Sequence, residues 1–95
     1  MTLKSYYCYI LTNKNRTVLY TGYTEDLNIR LKQHKAGKGA LFTKKYNISY
    51  LVYFEKYEDI QVAKKRERQL KNWHKEWKWN LIKATNPSLK TTDIN

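Results

Sequence analysis

The sequence has few of the features that anchor a protein in a membrane or stabilise one outside the cell. It contains one cysteine, and no apolar run is long enough to span a bilayer. Cys8 lies in an apolar run, so we expect it to pack as a small hydrophobic residue in a reducing cytoplasm, with a catalytic thiol as the alternative. The N-terminus passes directly into strand-like aromatic sequence, so we expect neither a signal peptide nor a membrane protein.

Acidic residues are scarce as well. The chain has 19 lysines and arginines against 8 aspartates and glutamates, which gives a net charge of +11. A small domain with this charge attracts polyanions, and nucleic acid is the first candidate, ahead of an anionic membrane surface or an acidic protein. Aromatic residues make up 15% of the chain and offer surfaces on which bases can stack.

The length of 95 residues, without repeats, low-complexity stretches or linkers, predicts a single domain. We expect this domain over residues 1–87, because Asn86-Pro87 ends the last helical pattern, and a polar tail over 88–95. A chain of this size can bury one modest core without metal or disulfide cross-links.

Apolar spacing predicts three strands and three helices. The strands cover residues 6–11, 18–23 and 49–57, and the helices cover 27–36, 60–72 and 75–84. The first two strands are joined by a polar, asparagine-rich turn, so we expect them to pair antiparallel. Thr24 or Asp26 can cap the first helix. In the last helix we expect Trp77, Leu81 and Ala84 to face the core.

The first helix places a cation and an imidazole on its apolar face. Arg30 and His34 are one turn apart and lie on the same side as Leu27 and Leu31, where solvated charges are not normally found. They can therefore act on a common target. The alternative is that they lie at the rim of this face with their polar ends in solvent.

An inward-facing carboxylate is predicted in the second helix. Glu67 lies in the apolar stripe with Ala63 and Leu70, while its neighbours in sequence are lysines and arginines. Such a carboxylate needs a cation, a metal ion or a proton, because burying it alone is unfavourable. We interpret it as a ligand for a hard divalent cation such as Mg²⁺, which binds one or two carboxylates and keeps several waters. The alternative is a structural salt bridge with Arg30.

Two basic segments accompany these residues. One is the glycine-containing stretch 38–45, and the other is the second helix itself. Each can lie along a phosphate backbone or serve only as a solvated surface, and for the helix we favour phosphate binding. The predicted nucleic-acid-binding residues are Lys38, Lys44, Lys45, Lys64, Lys65, Arg66, Arg68 and Lys71.

Tyr7-Cys8-Tyr9 and Tyr20-Thr21-Gly22, followed by Arg30, His34 and Glu67, resemble the motifs of the GIY-YIG nuclease superfamily. The joint order and spacing of these residues carry the resemblance, which covers nearly the whole chain. The sequence is similar to the short, stand-alone bacterial members, which are relatives of the GIY-YIG nuclease domain in the excision-repair endonuclease. It departs from the pattern in three places: the first motif lacks glycine and isoleucine, the second lacks isoleucine, and Tyr23 stands where some members have lysine.

The resemblance implies an α+β fold in which a three-stranded antiparallel β-sheet is flanked by about three α-helices. It also implies a catalytic site made of Tyr9, Tyr20, Arg30, His34 and Glu67, with Glu67 as the ligand of a single Mg²⁺ or Mn²⁺. From the residues alone, Tyr9 and Tyr20 can also be two core tyrosines on paired strands.

Together these observations predict metal-dependent phosphodiester hydrolysis of DNA by a nuclease of DNA repair or processing. In that chemistry Arg30 binds phosphate oxygens, and a cation bound to Glu67 stabilises the leaving group. A phenol is a poor base near neutral pH, so the group that activates the water stays open. The chain is too short for a separate sequence-reading domain, so selectivity is expected from nucleic-acid shape or a partner protein. The alternative function is a non-catalytic nucleic-acid-binding module with the same fold.

Overall fold

The computed structural model describes residues 4–88, and its centre is a three-stranded antiparallel sheet. The strands are β1 (Tyr6–Thr12), β2 (Leu19–Thr24) and β3 (Tyr50–Tyr57), in the order β2-β1-β3. Because β1 is paired on both edges and covered on both faces, its residues from Cys8 to Thr12 are all buried. The predicted antiparallel pairing of the first two strands is confirmed.

Four helices flank the sheet in the described residues, one more than apolar spacing predicted. They are α1 (Leu27–Lys35), α2 (Leu41–Lys45), α3 (Ile60–Lys71) and α4 (Lys75–Thr85). The additional helix, α2, is a short piece of the basic stretch 38–45 and is too short to give a periodic apolar pattern. The predicted α+β class is confirmed, whereas residues 89–95 of the predicted tail lie outside the described residues.

No helix in the described part of the chain is long and apolar enough to cross a membrane.

Local signals fix both ends of α1. The side chain of Asp26 accepts a hydrogen bond from the amide of Ile29 at 3.1 Å, so Asp26 is the N-cap. Just after the helix the chain turns at Gly37, whose φ of 74° favours glycine. These two ends set the position of the helix that carries Arg30 and His34.

The helices cover opposite faces of the sheet and divide the core into two clusters. The first cluster, on the side of α1, contains Tyr9, Leu11, Leu27, Ile48 and Leu51. The second, on the side of α4, contains Ile10, Val52 and Ile82. Successive side chains of β1 alternate between these faces, so Tyr9 points toward α1. α3 also packs across all three strands.

α4 buries a different side from the predicted one. Ile82 is fully buried, whereas Trp77 is 54% exposed and Ala84 is also exposed. The expectation that Trp77 and Ala84 face the core was therefore wrong. The buried side is the one that brings Ile82 against Ile10 and Val52, a contact between elements that are distant in the sequence.

Candidate active site

The hydroxyl of Tyr9 is the centre of a hydrogen-bonded group built from β1 and α1. Its oxygen accepts a hydrogen bond from Nε of Arg30 at 3.3 Å and lies 3.1 Å from Nε2 of His34. Both side chains reach it because α1 covers the face of the sheet to which Tyr9 points. Arg30 and His34 therefore share one target, as their spacing on the helix suggested.

The second ring nitrogen of His34 is also bonded. Nδ1 lies 2.9 Å from Oγ1 of Thr43, and that hydroxyl donates to the carbonyl of Ala40 at 2.8 Å. Since Thr43 uses its proton on Ala40, it accepts from Nδ1–H, and the hydrogen bonds therefore place a proton of His34 on Nδ1. In the neutral imidazole Nε2 is then the acceptor for the proton of the Tyr9 hydroxyl.

Burial sets the charge states of this group. His34 is 3% exposed, and its burial, together with the charge of Arg30, lowers its pKa from 6.5 to about 4. Burial raises the pKa of Tyr9 to about 12, although the hydrogen bond from Arg30 acts in the opposite direction. The hydrogen bond to Tyr9 raises the pKa of Arg30. At neutral pH the group therefore consists of a neutral imidazole, a neutral phenol and a guanidinium cation.

The neutral state of His34 predicts a loss of stability in mild acid. The unfolded chain takes up a proton at this side chain near pH 6.5, whereas the folded protein does so only near pH 4. The stabilising contribution is therefore complete above pH 6.5 and is lost as the pH falls from 6.5 to 4. At pH 5 the loss should reach about 2 kcal/mol. Denaturant unfolding of the wild type and of His34→Gln at neutral pH and in acid checks this, and equal acid sensitivity would contradict it.

Two glycines leave room for the rings of Tyr9 and His34. A Cβ atom on Gly22 would lie 2.6 Å from the Tyr9 hydroxyl oxygen, and one on Gly39 would lie 2.3 Å from Nδ1 of His34. The sequence motif included Gly22, but the roles of Gly39 and Thr43 were not predicted. Their signal is weak, since a glycine and a threonine among lysines are typical of an exposed loop.

Tyr20 lies beside this group on β2. Its ring centre is 6.3 Å from that of Tyr9 and 5.4 Å from that of His34. The side chain of Tyr20 is half-buried. The pKa of Arg30 is raised mainly by Tyr9, and Tyr20 adds to this effect. The structure therefore brings Tyr9, Tyr20, Arg30 and His34 together.

Glu67 comes from α3 and does not join this bonded group directly. Its side chain is 16% exposed, and its carboxylate forms an ion pair with Lys71 at 3.2 Å. Burial is the main cause of the raised pKa values of Tyr9 and Cys8, and the negative charge of Glu67 adds to both. Glu67 therefore lies close enough to interact electrostatically with both side chains. Within residues 4–88 the ion pair of Glu67 is with Lys71, while Nε of Arg30 donates to Tyr9. The alternative of a salt bridge between Arg30 and Glu67 was therefore wrong.

A divalent cation at this site would depend on the Glu67 carboxylate. Within the described residues no group of three or more His, Cys, Asp or Glu side chains could hold a metal ion. Mg²⁺ does not require such a group, because it binds one or two carboxylates and keeps several waters. The carboxylate of Glu67, on a largely buried side chain, fits this mode, since its partner Lys71 is exposed and can move away from it.

Most of the predicted phosphate-binding residues reach the surface. The exposed ones are Lys38, Lys44, Lys45, Lys65, Arg68 and Lys71. Lys64 is half-buried, and its ammonium group lies 5.7 Å from the centre of the Tyr23 ring. Arg66 differs, because its Nε and Nη2 donate to Glu55 at 2.9 and 3.1 Å and its Nη1 donates to Gln69. Arg66 therefore joins α3 to β3.

The residues that depart from the sequence motif pack in the fold. Tyr7 contacts Phe54 edge to face, with ring centres 6.1 Å apart. Cys8 is fully buried, and burial raises the pKa of its thiol to about 12, so no thiolate is available near neutral pH. The expectation that Cys8 packs as a small hydrophobic residue is confirmed.

Comparison with known proteins defines the class. Residues 5–80 match the family model of the GIY-YIG catalytic domain, so the chain belongs to the GIY-YIG family, a family of the nuclease type. Within this class it is similar to UPF0213 proteins. Those of Staphylococcus aureus strains Mu3 and N315 are each 40% identical to it over 81 residues, 85% of this chain and 98% of the relative.

A solved structure agrees with this assignment. The solution NMR structure of the UPF0213 protein BH0048 from Bacillus halodurans has a TM-score of 0.58 and 32% sequence identity to this chain. The match covers 96% of this chain and 97% of that one. The family resemblance predicted from the motifs is therefore confirmed.

Proposed function

We propose that this protein is a metal-dependent nuclease that hydrolyses phosphodiester bonds of DNA during repair or processing. The observation that carries the proposal is the bonded group of Tyr9, Arg30 and His34, with Tyr20 beside it. A stable core does not require a buried imidazole and a half-buried guanidinium, which apolar residues could replace. Polar groups with perturbed pKa values in such a position are typical of functional sites.

Arg30 is the residue that we assign to the reacting phosphate. Its Nε donates to Tyr9, and its Nη1 donates to Gln33 at 3.0 Å, so two contacts fix the guanidinium. A guanidinium has several further N–H donors in the same plane, and these can bind phosphate oxygens. A donor oriented in advance stabilises the charge that develops on those oxygens in the transition state.

Tyr20 is the side chain that we assign to the attacking water. Tyr9 is less suited to that role, because its proton is donated to His34 and burial raises its pKa to about 12. Tyr20 is half-buried, so it is the tyrosine of this group that solvent can reach. Neutral His34 can accept a proton at Nε2 through the Tyr9 hydroxyl. Tyr9 and His34 therefore orient Arg30 and offer a path for a proton.

Glu67 is the residue that we assign to a divalent cation. Bound there, Mg²⁺ or Mn²⁺ would supply Lewis-acid stabilisation of the leaving oxygen. The buried side chains of Ala63 and Leu70 hold α3 on the sheet and thereby hold the backbone of Glu67 in place. Lys71 would then be released to bind phosphate.

The exposed cations, together with the half-buried Lys64, are assigned to the DNA backbone. Contacts to phosphate give affinity and position the protein, but they do not read sequence. We therefore expect selectivity to come from the shape of the nucleic acid or from a partner protein. The residues assigned to phosphate are Lys38, Lys44, Lys45, Lys64, Lys65, Arg68 and Lys71, without Arg66, whose donors bind Glu55 and Gln69.

A non-catalytic nucleic-acid-binding module is the second candidate. The observation that favours it is that the candidate metal ligand is one carboxylate that is already paired with Lys71. In that case the basic surface would bind DNA, and the Tyr9 group would serve only the fold.

Cleavage of supercoiled plasmid separates the two candidates. The protein is expected to nick the plasmid with Mg²⁺ or Mn²⁺, and a chelator is expected to stop the reaction. Arg30→Gln should cut at least about 100-fold more slowly, because loss of one donor to a reacting oxygen costs about 10²–10³ in rate. Arg16→Gln, in the turn between β1 and β2, is the matched control and should cut like the wild type.

One outcome would contradict the nuclease, and another would contradict the role of Arg30. Binding of plasmid without cutting by the wild type would favour the binding module. Cutting at an equal rate by the wild type and Arg30→Gln would show that this guanidinium is not part of the chemistry.

A further inference from the structure

An aromatic surface leads away from the candidate active site. Phe42 of α2 stacks on Tyr20, with ring centres 6.3 Å apart and planes inclined by 25°. Tyr46 follows, with its ring centre 4.9 Å from that of Phe42. Phe42 and Tyr46 are each 42% exposed, and the neighbouring Leu41 is 87% exposed. The fold therefore leaves an apolar surface open to solvent beside the residues assigned to chemistry.

The attachment of α2 to the protein does not depend on this surface. Thr43 is buried and bonded to both His34 and Ala40, and its carbonyl accepts a hydrogen bond from the amide of Ile48 at 2.9 Å. Phe42 and Tyr46 take no part in these side-chain hydrogen bonds, and part of each ring is exposed to solvent. An exposed apolar patch with a polar rim is typical of an interaction site.

A cation adjoins this surface, in a segment that is basic throughout. The ammonium group of Lys45 lies 5.3 Å from the centre of the Tyr46 ring, and Lys38 and Lys44 are exposed in the same stretch 38–45. Charge complementarity favours a polyanion over an apolar peptide or a second copy of this basic chain. Aromatic faces beside cations bind unpaired bases, because every base has a face on which a ring can stack. In an uninterrupted duplex those faces are already stacked on neighbouring base pairs.

We propose that Phe42 and Tyr46 stack on unpaired bases next to the bond that is cut, so that the substrate is a nucleic acid with an unpaired segment there. The stack ends at the half-buried Tyr20, so a base on Phe42 would bring its adjoining phosphate toward Tyr20 and Arg30. The statement about cleavage rests on the proposed function, whereas the binding of unpaired bases does not require it.

Binding in the presence of a chelator tests this surface separately from cleavage. Fluorescence anisotropy compares a labelled oligothymidylate with a DNA duplex of the same length, and the wild type should bind the single strand more tightly. Phe42→Leu keeps apolar volume against Tyr20 but removes the ring face. It should weaken single-strand binding about tenfold and leave duplex binding unchanged. Because no charge is removed, the salt dependence should stay the same.

Two further variants keep the test decisive. Trp77→Leu removes another exposed ring, on α4, and should change neither affinity. Tyr46→Leu should weaken single-strand binding as well, which supports the proposal even if Phe42→Leu proves unstable in thermal unfolding. Equal weakening on both nucleic acids, or no weakening with either variant, would overturn it.

Failure of this inference and failure of the proposed function give different results. A single-strand preference that depends on Phe42, without metal-dependent cutting of either the plasmid or a DNA that carries an unpaired segment, would support the stacking surface and reject the nuclease. Metal-dependent cutting with a single-strand affinity that neither Phe42→Leu nor Tyr46→Leu changes would reject the stacking surface and support the nuclease.

Discussion

Gly22→Ala is expected to destabilise the protein by about 2 kcal/mol and to slow cleavage at least about 100-fold. The added methyl group would lie 2.6 and 2.7 Å from the hydroxyl oxygen and Cζ of Tyr9 and 3.1 Å from Cε1 of Tyr20. The Tyr9 ring is fully buried, so it can yield only by moving away from Arg30 and His34. Denaturant unfolding and the plasmid assay measure the two effects.

A double-mutant cycle shows whether the effect of Gly22→Ala acts through Tyr9. In a Tyr9→Ala background the new methyl group no longer meets that ring, and an extended strand favours alanine over glycine. Gly22→Ala should then be neutral or slightly stabilising, which corresponds to a coupling energy of about 2 kcal/mol. An equal cost in both backgrounds would place the clash elsewhere.

The features that were predicted correctly each have a local signal in the sequence. Apolar spacing predicted the strand β1, and Asp26 was one of the two predicted N-caps of the first helix. His34 was placed on the apolar face of α1 and is buried there. Glu67 was placed in the stripe of Ala63 and Leu70, and its side chain is largely buried. In each case a single element determines the outcome.

The features that were missed depend on contacts between distant elements. α2 spans Leu41–Lys45, and its Thr43 bonds to His34 of the preceding helix, which no local pattern indicates. The buried side of α4 is set by Ile10 and Val52 of the sheet. The partner of Glu67 is Lys71, because Arg30 donates instead to Tyr9 on the α1 side of the sheet. Periodicity tells which face of a helix is apolar, but not what that face meets.

The polar group around Tyr9 has a definite order of dependence. Thr43 fixes the proton of His34 on Nδ1, His34 then accepts the Tyr9 proton, and the Tyr9 oxygen is left to accept from Arg30. Each side chain has one hydrogen-bonding arrangement, because its neighbour already uses the donor or acceptor that the alternative arrangement would need. Gly22 and Gly39 permit the close approach of the two rings to the backbone. The orientation of Arg30 is therefore a property of several elements together and not of α1 alone.

Glu67→Gln is expected to lower metal-dependent cleavage by about 10²–10³-fold, while DNA affinity in a chelator rises. The amide keeps the shape of the side chain but lacks the negative charge that a hard divalent cation prefers. Removing the carboxylate also frees Lys71 from its ion pair at 3.2 Å, so one more cation can contact phosphate. The salt dependence of binding should then steepen by up to about one phosphate contact. The fold should persist, because a helical ion pair of this kind contributes only about 0.3–0.5 kcal/mol.

Glu76→Gln is the matched control for this prediction, because it makes the same charge change at an exposed position of α4. Its cleavage rate should equal that of the wild type. Glu67→Gln is expected to lower cleavage and to raise DNA affinity. Because unfolding would lower both, this combination distinguishes a lost metal ligand from a damaged fold. Wild-type cleavage by Glu67→Gln would place the metal ligand elsewhere in the protein. Unchanged DNA affinity would mean that Lys71 does not reach the phosphate backbone once its partner is gone.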